Sequence, residues 1–206
     1  MWFVDVMAKG GIVMWFLLLS SVFALAVIID RAWFFARVID VKAAPLFSKI
    51  SLLVKQDKIK DAIDLCDERK TPMTLALRAA LEHSSESRET IKEAVNDVVL
   101  REIPYLEKKL PYLATIAHVA PLLGLLGTVT GIIKCFSVIQ IKAAENGSIN
   151  PSDLAGGIME ALHTTAFGLV VAIPSLIAYN FFVSRVNHKV MEMERLAVET
   201  IALLSD

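Results

Sequence analysis

Acidic and basic residues are missing from three long stretches of this chain: Gly10 to Ile29, Leu110 to Ile133 and Ala161 to Ser184. Yet the whole sequence carries 22 acidic and 21 basic residues, a net charge of −1. Segregation on this scale, with 55% hydrophobic residues and a mean hydropathy of +0.58, excludes an ordinary soluble domain. Each stretch reaches the ~20 apolar residues that a helix rising 1.5 Å per residue needs to cross a hydrocarbon core ~30 Å thick. Cysteine is scarce, and Cys66 and Cys135 fall on opposite sides of the membrane in the topology below, which excludes an intrachain disulfide and leaves both as packing residues. The segment between the first two stretches has no Gly-rich phosphate loop, metal-ligand spacing or nucleophile elbow, so an ATPase or soluble enzyme has no chemistry to use. The chain reads as a non-enzyme, with no cofactor, no metal and no nucleic-acid partner.

What is present predicts an all-α membrane protein with three transmembrane helices extended into a cytoplasmic helical bundle. The segments are a short periplasmic N-terminus (1–11), transmembrane helix 1 (12–30), a cytoplasmic helical domain (31–109), transmembrane helix 2 (110–139), a periplasmic connection (140–156), transmembrane helix 3 (157–184) and a cytoplasmic C-terminal helix (185–206). Asp5 spoils a basic leader and Asp30-Arg31 follows the first run without a small-residue cleavage site, so that run reads as an anchor. Of the 21 basic residues, 15 lie in 31–109 and three in 185–206, and Arg31, Arg37, Arg101, Lys108, Lys109 and Arg185 are near the membrane ends. The positive-inside rule then places the N-terminus outside and the C-terminus inside. Trp2, Trp15, Trp33, Tyr105, Tyr112 and Tyr179 fall near predicted helix ends, as interfacial aromatics do.

In the cytoplasmic segment, Ile59, Ala62, Ile63 and Cys66 recur at helical spacing before Pro72 stops the pattern, and a short helix near 73–83 follows. Ser84 to Ser87 offers N-cap residues for a longer helix running through Ile91, Val95 and Val98 into the second span. The tail repeats Val186, Val190, Met193, Ala197, Ile201 and Leu204 every three or four residues, a stripe suited to packing on that helix. Across the membrane, Asn146-Gly147 reads as a turn, and Asn150-Pro151 as N-cap and first residue of the third helix, with Asp153 in its first turn.

Spans two and three each carry a small-residue stripe: Ala117, Pro121, Gly124, Thr128, Gly131 and Cys135 on one, and Ala161, Thr165, Gly168, Ala172, Ser175 and Tyr179 on the other. Close helix approach in lipid accounts for such stripes. The two helices are antiparallel, however, and Thr128 and Thr165 both fall ~7–9 Å below the outer boundary, so their hydroxyls can face one polar layer. Thr hydroxyls can also bond back to their own helix. Pro121 and Pro174 lie within spans and read as helix kinks.

The stretches LATIAHVAPLLGLLGTVTGIIKCF (113–136) and GIMEALHTTAFGLVVAIPSLIAYNFF (157–182) resemble the two signature membrane helices of the MotA/TolQ/ExbB proton-channel family. Three spans place the resemblance in the ExbB/TolQ branch rather than the four-span flagellar stator branch. It implies a multi-pass protein of a bacterial inner membrane: a homo-oligomer, a pentamer, enclosing the helices of an ExbD- or TolR-like single-span partner and using proton flow to drive a TonB- or TolA-like protein. Thr128 and Thr165 match the family's pore threonines and Glu160 its motif glutamate. None of the charge-free stretches holds an Asp or Glu at mid-depth, so the proton carrier should be the partner's intramembrane Asp. Two roles stay open for Glu160: gathering protons at the outer mouth, or holding neighbouring subunits through a charge-assisted hydrogen bond. His163 and Thr164 are secondary candidates. His163, three residues after Glu160, is either a neutral interface residue or half of a pH-sensitive pair. An ExbB-like role, a TolQ-like role and a non-conducting membrane scaffold all remain compatible with the chain.

Overall fold

The structure, a computed structural model, describes residues 10–38, 43–145, 148 and 150–205. Trp2, Asp5 and the Asn146-Gly147 turn lie outside the described residues, and the side chains of Arg37 and Asp153 are likewise not described. All regular structure among the described residues is helical: α1 (Gly11–Val38), α2 (Ala43–Lys55), α3 (Ile59–Asp67), α4 (Pro72–Glu82), α5 (Arg88–Glu107), α6 (Leu110–Ala144) and α7 (Pro151–Ser205). Three of these, α1, α6 and α7, are long and apolar enough to cross a membrane. The chain divides into two compact units, one of residues through Asp30 with Lys109–Asn180, the other of Arg31–Lys108 with the chain from Phe181 onward.

The first unit has a thin core. Val13 and Leu17 of α1 meet Ala120 of α6 and Val171 and Ala172 of α7, with Ile116, Leu123 and Phe167 packed against them. Its outward surface is apolar: Leu19, Leu122, Leu162 and Val170 are all exposed. Water does not tolerate so continuous an apolar surface, whereas lipid does, and the helices satisfy their backbone groups internally. Lys109 Nζ donates to Asp30 Oδ1 at 2.8 Å, tying the end of the second span to the end of the charge-free run of the first.

The second unit has a conventional core. Its centre is α4, where Met73, Ala76, Leu77, Ala80 and Leu81 are buried among Ile50, Ala62, Cys66, Ile91, Val95 and Val99. Burying a Leu of this kind contributes ~1.5–3 kcal/mol. The tail stripe closes this core through Met193, Ala197 and Ile201, with Val190 packed against it, so its three-to-four spacing is that of a packing face. Rather than only ending the preceding pattern, Pro72 occupies the first position of α4, where its missing N–H costs nothing. Thr71 completes a capping box there: its hydroxyl accepts from the Thr74 backbone N–H, and Thr74 Oγ1 accepts from the Thr71 N–H at 2.9 Å. Ser87 caps α5 by accepting from Thr90 N.

One expectation fails. The helix through Ile91 does not run on into the second span: α5 ends at Glu107, Lys108 leaves helical geometry, and Lys109 takes the left-handed conformation at φ 70°. Pro111 is the cause. Continuation would set its ring against the Glu107 carbonyl and demand an N–H that proline lacks, so the helix restarts with Pro111 in its first turn. The third span and the tail, conversely, form a single uninterrupted helix of 55 residues.

Candidate functional site

The α6–α7 hairpin brings the small-residue stripes together. A Cβ on Gly168 would lie 2.7 Å from the Ala120 carbonyl oxygen and 3.1 Å from Gly124 Cα, so only glycine allows the two backbones to approach this closely. Gly127 leaves room in the same way for the side chain of Thr164, which is fully buried.

The hydroxyls have defined partners. Thr165 Oγ1 donates across the interface to the Gly124 carbonyl at 3.0 Å, and Thr128 Oγ1 donates to the Leu125 carbonyl of its own helix at 2.6 Å. Their acceptors are successive residues of α6, so the two hydroxyls end on the same turn. Each is half-buried and keeps its oxygen lone pairs, which can accept a hydrogen bond although the donor is committed. Thr164 Oγ1 has Glu160 O and Ala161 O, both at 3.0 Å, as back-bonding acceptors on its own helix, the ordinary behaviour of a threonine inside a membrane helix. Pro121 and Pro174 both lie inside continuous helices.

Glu160 has a partner in another span. Lys134 Nζ of α6 donates to Glu160 Oε1 at 2.5 Å, and the carboxylate side chain is only 14% exposed against 57% for the lysine. This is a charge-assisted bond within the chain, between spans two and three. The first span joins them. Gly11, the first residue of α1, has φ +64°, and a Cβ there would run into Glu160 Oε1 and reach 3.5 Å from Lys134 Nζ. The positive end of the α1 dipole thus sits beside the carboxylate. A carboxylate so withdrawn from water needs this compensation. The signal was available: Lys134 and Glu160 are the charges that bound the second and third charge-free stretches at the same end of an antiparallel hairpin.

His163 is half-buried one turn beyond Glu160, whose carboxylate is paired with Lys134. His118 is exposed and its Nδ1 lies 2.7 Å from the Ala114 carbonyl, so that nitrogen carries the proton in the bond. Cys135 Sγ donates to Leu154 O at 3.4 Å, and both cysteines are free thiols.

Three apolar spans, glycine-lined contact between the second and third, and hydroxyls and a paired carboxylate held at defined levels define a multi-pass α-helical membrane protein built around a polar seam. The chain belongs to the MotA/TolQ/ExbB proton channel family, whose model matches residues 68–195. An ExbB-like biopolymer transport protein of Synechocystis sp. is 36% identical over 193 residues, covering 87% of this chain and 70% of that one. The biopolymer transport protein ExbB of Aquifex aeolicus is 46% identical over 89 residues, 43% of this chain and 57% of its own. The Tol-Pal system protein TolQ of Haemophilus influenzae is 45% identical over 94 residues, 46% of this chain and 40% of its own. These relatives place the chain on the ExbB/TolQ-like branch of a proton-channel family rather than in an enzyme family.

Proposed function

We propose that the chain is the pore-forming ring subunit of a proton-motive-force-driven motor in a bacterial inner membrane, with protons as its coupling ion and no other cofactor. A pentamer of it surrounds the helices of an ExbD-like partner and energises a TonB-type periplasmic protein for outer-membrane transport. The basic segment 31–109 and the C-terminus face the cytoplasm in this reading. The observation that carries it is the pairing of a polar layer with a missing acid. Thr128 and Thr165 end on one turn of α6, while no Asp or Glu lies within the three charge-free stretches. Hydroxyls with committed donors can accept a hydrogen bond but cannot carry a proton alone, so the layer suits a protonated carboxyl brought by the partner. Glu160 stands at the outer end of the path.

The test is proton flux into liposomes holding the chain and its single-span partner. Thr128→Val and Thr165→Val should lower flux while the complex stays assembled, and Thr165→Ser, which keeps the bond to Gly124, should retain it; Glu160→Gln should lower flux as well. Unchanged flux in both valine variants would sink the proposal in favour of a scaffold. A TolQ-like role in envelope maintenance is the second reading, since the ExbB of Aquifex aeolicus and the TolQ of Haemophilus influenzae match at 46% and 45% identity.

A further inference from the structure

A cavity of about 380 Å³ in the second unit is lined by Phe35 of α1 and by Phe181, Phe182, Arg185, His188 and Lys189 of α7. Its floor is aromatic: Phe35 stacks on Phe182 with ring centroids 5.5 Å apart. Its rim is basic. Arg185, His188 and Lys189 share one face of α7 by their spacing, with the Arg185 guanidinium held 5.2 Å from the Phe181 ring centroid and the Lys189 ammonium 2.8 Å from Glu192 Oε2. Arg185 is the first charge after the stretch that ends at Ser184, which puts this rim at the level where hydrocarbon gives way to water.

Beside the basic rim, Phe181 is more than half exposed. A cationic cavity with an aromatic floor and an exposed aromatic flank, at the membrane boundary, has the amphipathic character that a phospholipid headgroup and glycerol require. We propose that this cavity binds the phosphate headgroup of an anionic phospholipid. Arg185 offers the planar fork that grips phosphate, His188 and Lys189 add positive charge, and the Phe35, Phe181 and Phe182 rings meet the glycerol and the start of an acyl chain. Glu192 neutralises part of Lys189, so Arg185 is the principal contact. The cavity is large enough for a headgroup and its glycerol. The inference is independent of the chain's orientation and of proton conduction.

Native mass spectrometry of the full chain tests it, with phosphatidylglycerol or phosphatidylcholine added to a neutral detergent. Wild type should retain phosphatidylglycerol about tenfold better than phosphatidylcholine, and Arg185→Gln/Lys189→Gln should erase that preference. Arg195→Gln, further along the same helix and outside the cavity, should leave it intact. Equal retention of the two lipids by wild type overturns the proposal without recourse to any variant, as does an unchanged preference in the folded double variant. An equal loss with Arg195→Gln reduces the effect to net charge and also overturns it. If inorganic phosphate alone raises the thermal stability of the wild-type chain as much as phosphatidylglycerol does, the ligand is a soluble phosphate and the lipid assignment fails.

Discussion

Glu160 is mostly enclosed near the end of the third span, where two other spans supply what water would have supplied: Lys134 a formal cation, and the α1 terminus at Gly11 a partial one. Lys134→Met should destabilise the folded chain by ~1–3 kcal/mol, since it strands a mostly buried carboxylate while the lost lysine is itself half in solvent. Glu160→Gln combined with Lys134→Met should cost less than the two single losses added, which thermal unfolding in detergent would read; strict additivity would mean the pair contributes nothing. At the glycine seam, Gly168→Ala meets the backbone of Ala120 and Gly124 and should cost ~1–3 kcal/mol, whereas Gly156→Ala, with open space around it, should be close to neutral or better. Equal effects of these two alanines would refute the backbone-contact account.

At the scale of elements, α4 depends on its first turn. Thr71→Val removes an acceptor for Thr74 N–H in a buried capping box, and a loss of ~1 kcal/mol is expected in chemical unfolding. Beside it, Cys66 on α3 is buried, and that burial, with help from Asp67 and against Arg78, pushes its thiol up to about 11 from 9.0. Between those pH values the unfolded thiol gives up its proton while the folded one keeps it, so stability falls as pH rises through the window. Maleimide labelling of Cys66 near neutral pH should accordingly be slow in the folded chain and fast in urea; equal rates would show the thiol is not enclosed. Pro72, Pro104, Pro111, Pro121 and Pro174 show why element boundaries resist reading. Pro72 and Pro111 sit in first turns, whereas Pro104, Pro121 and Pro174 lie inside helices. In lipid or a packed bundle, neighbouring groups decide whether a proline ends a helix or is carried through it.

For the whole molecule, the absence of Asp and Glu from the three charge-free stretches means that the chain alone should not conduct. Liposomes holding it without a partner should show only background proton leak, and flux should appear when a single-span protein with an intramembrane carboxyl is added; conduction by the chain alone would require another carrier. The three spans were legible because a helix needs ~20 apolar residues to cross a bilayer, and this chain has three such runs. The tail stripe was legible for a similar reason, as Met193, Ala197 and Ile201 repeat at the helical period and are buried.

Periodicity and charge are properties of one segment at a time, and from them the sequence by itself determined the helical class, the number of spans, the packing face of the tail and the small-residue stripes. Pairing across segments belongs to the fold. Only the tertiary structure joined Lys134 to Glu160, set Gly11 against that pair, sent the Thr165 hydroxyl to the Gly124 carbonyl and gathered Phe35 with Arg185 around one cavity. The physical reason is that a hydrogen bond or ion pair depends on separations of a few ångströms between residues far apart in the chain, and helix packing sets those separations.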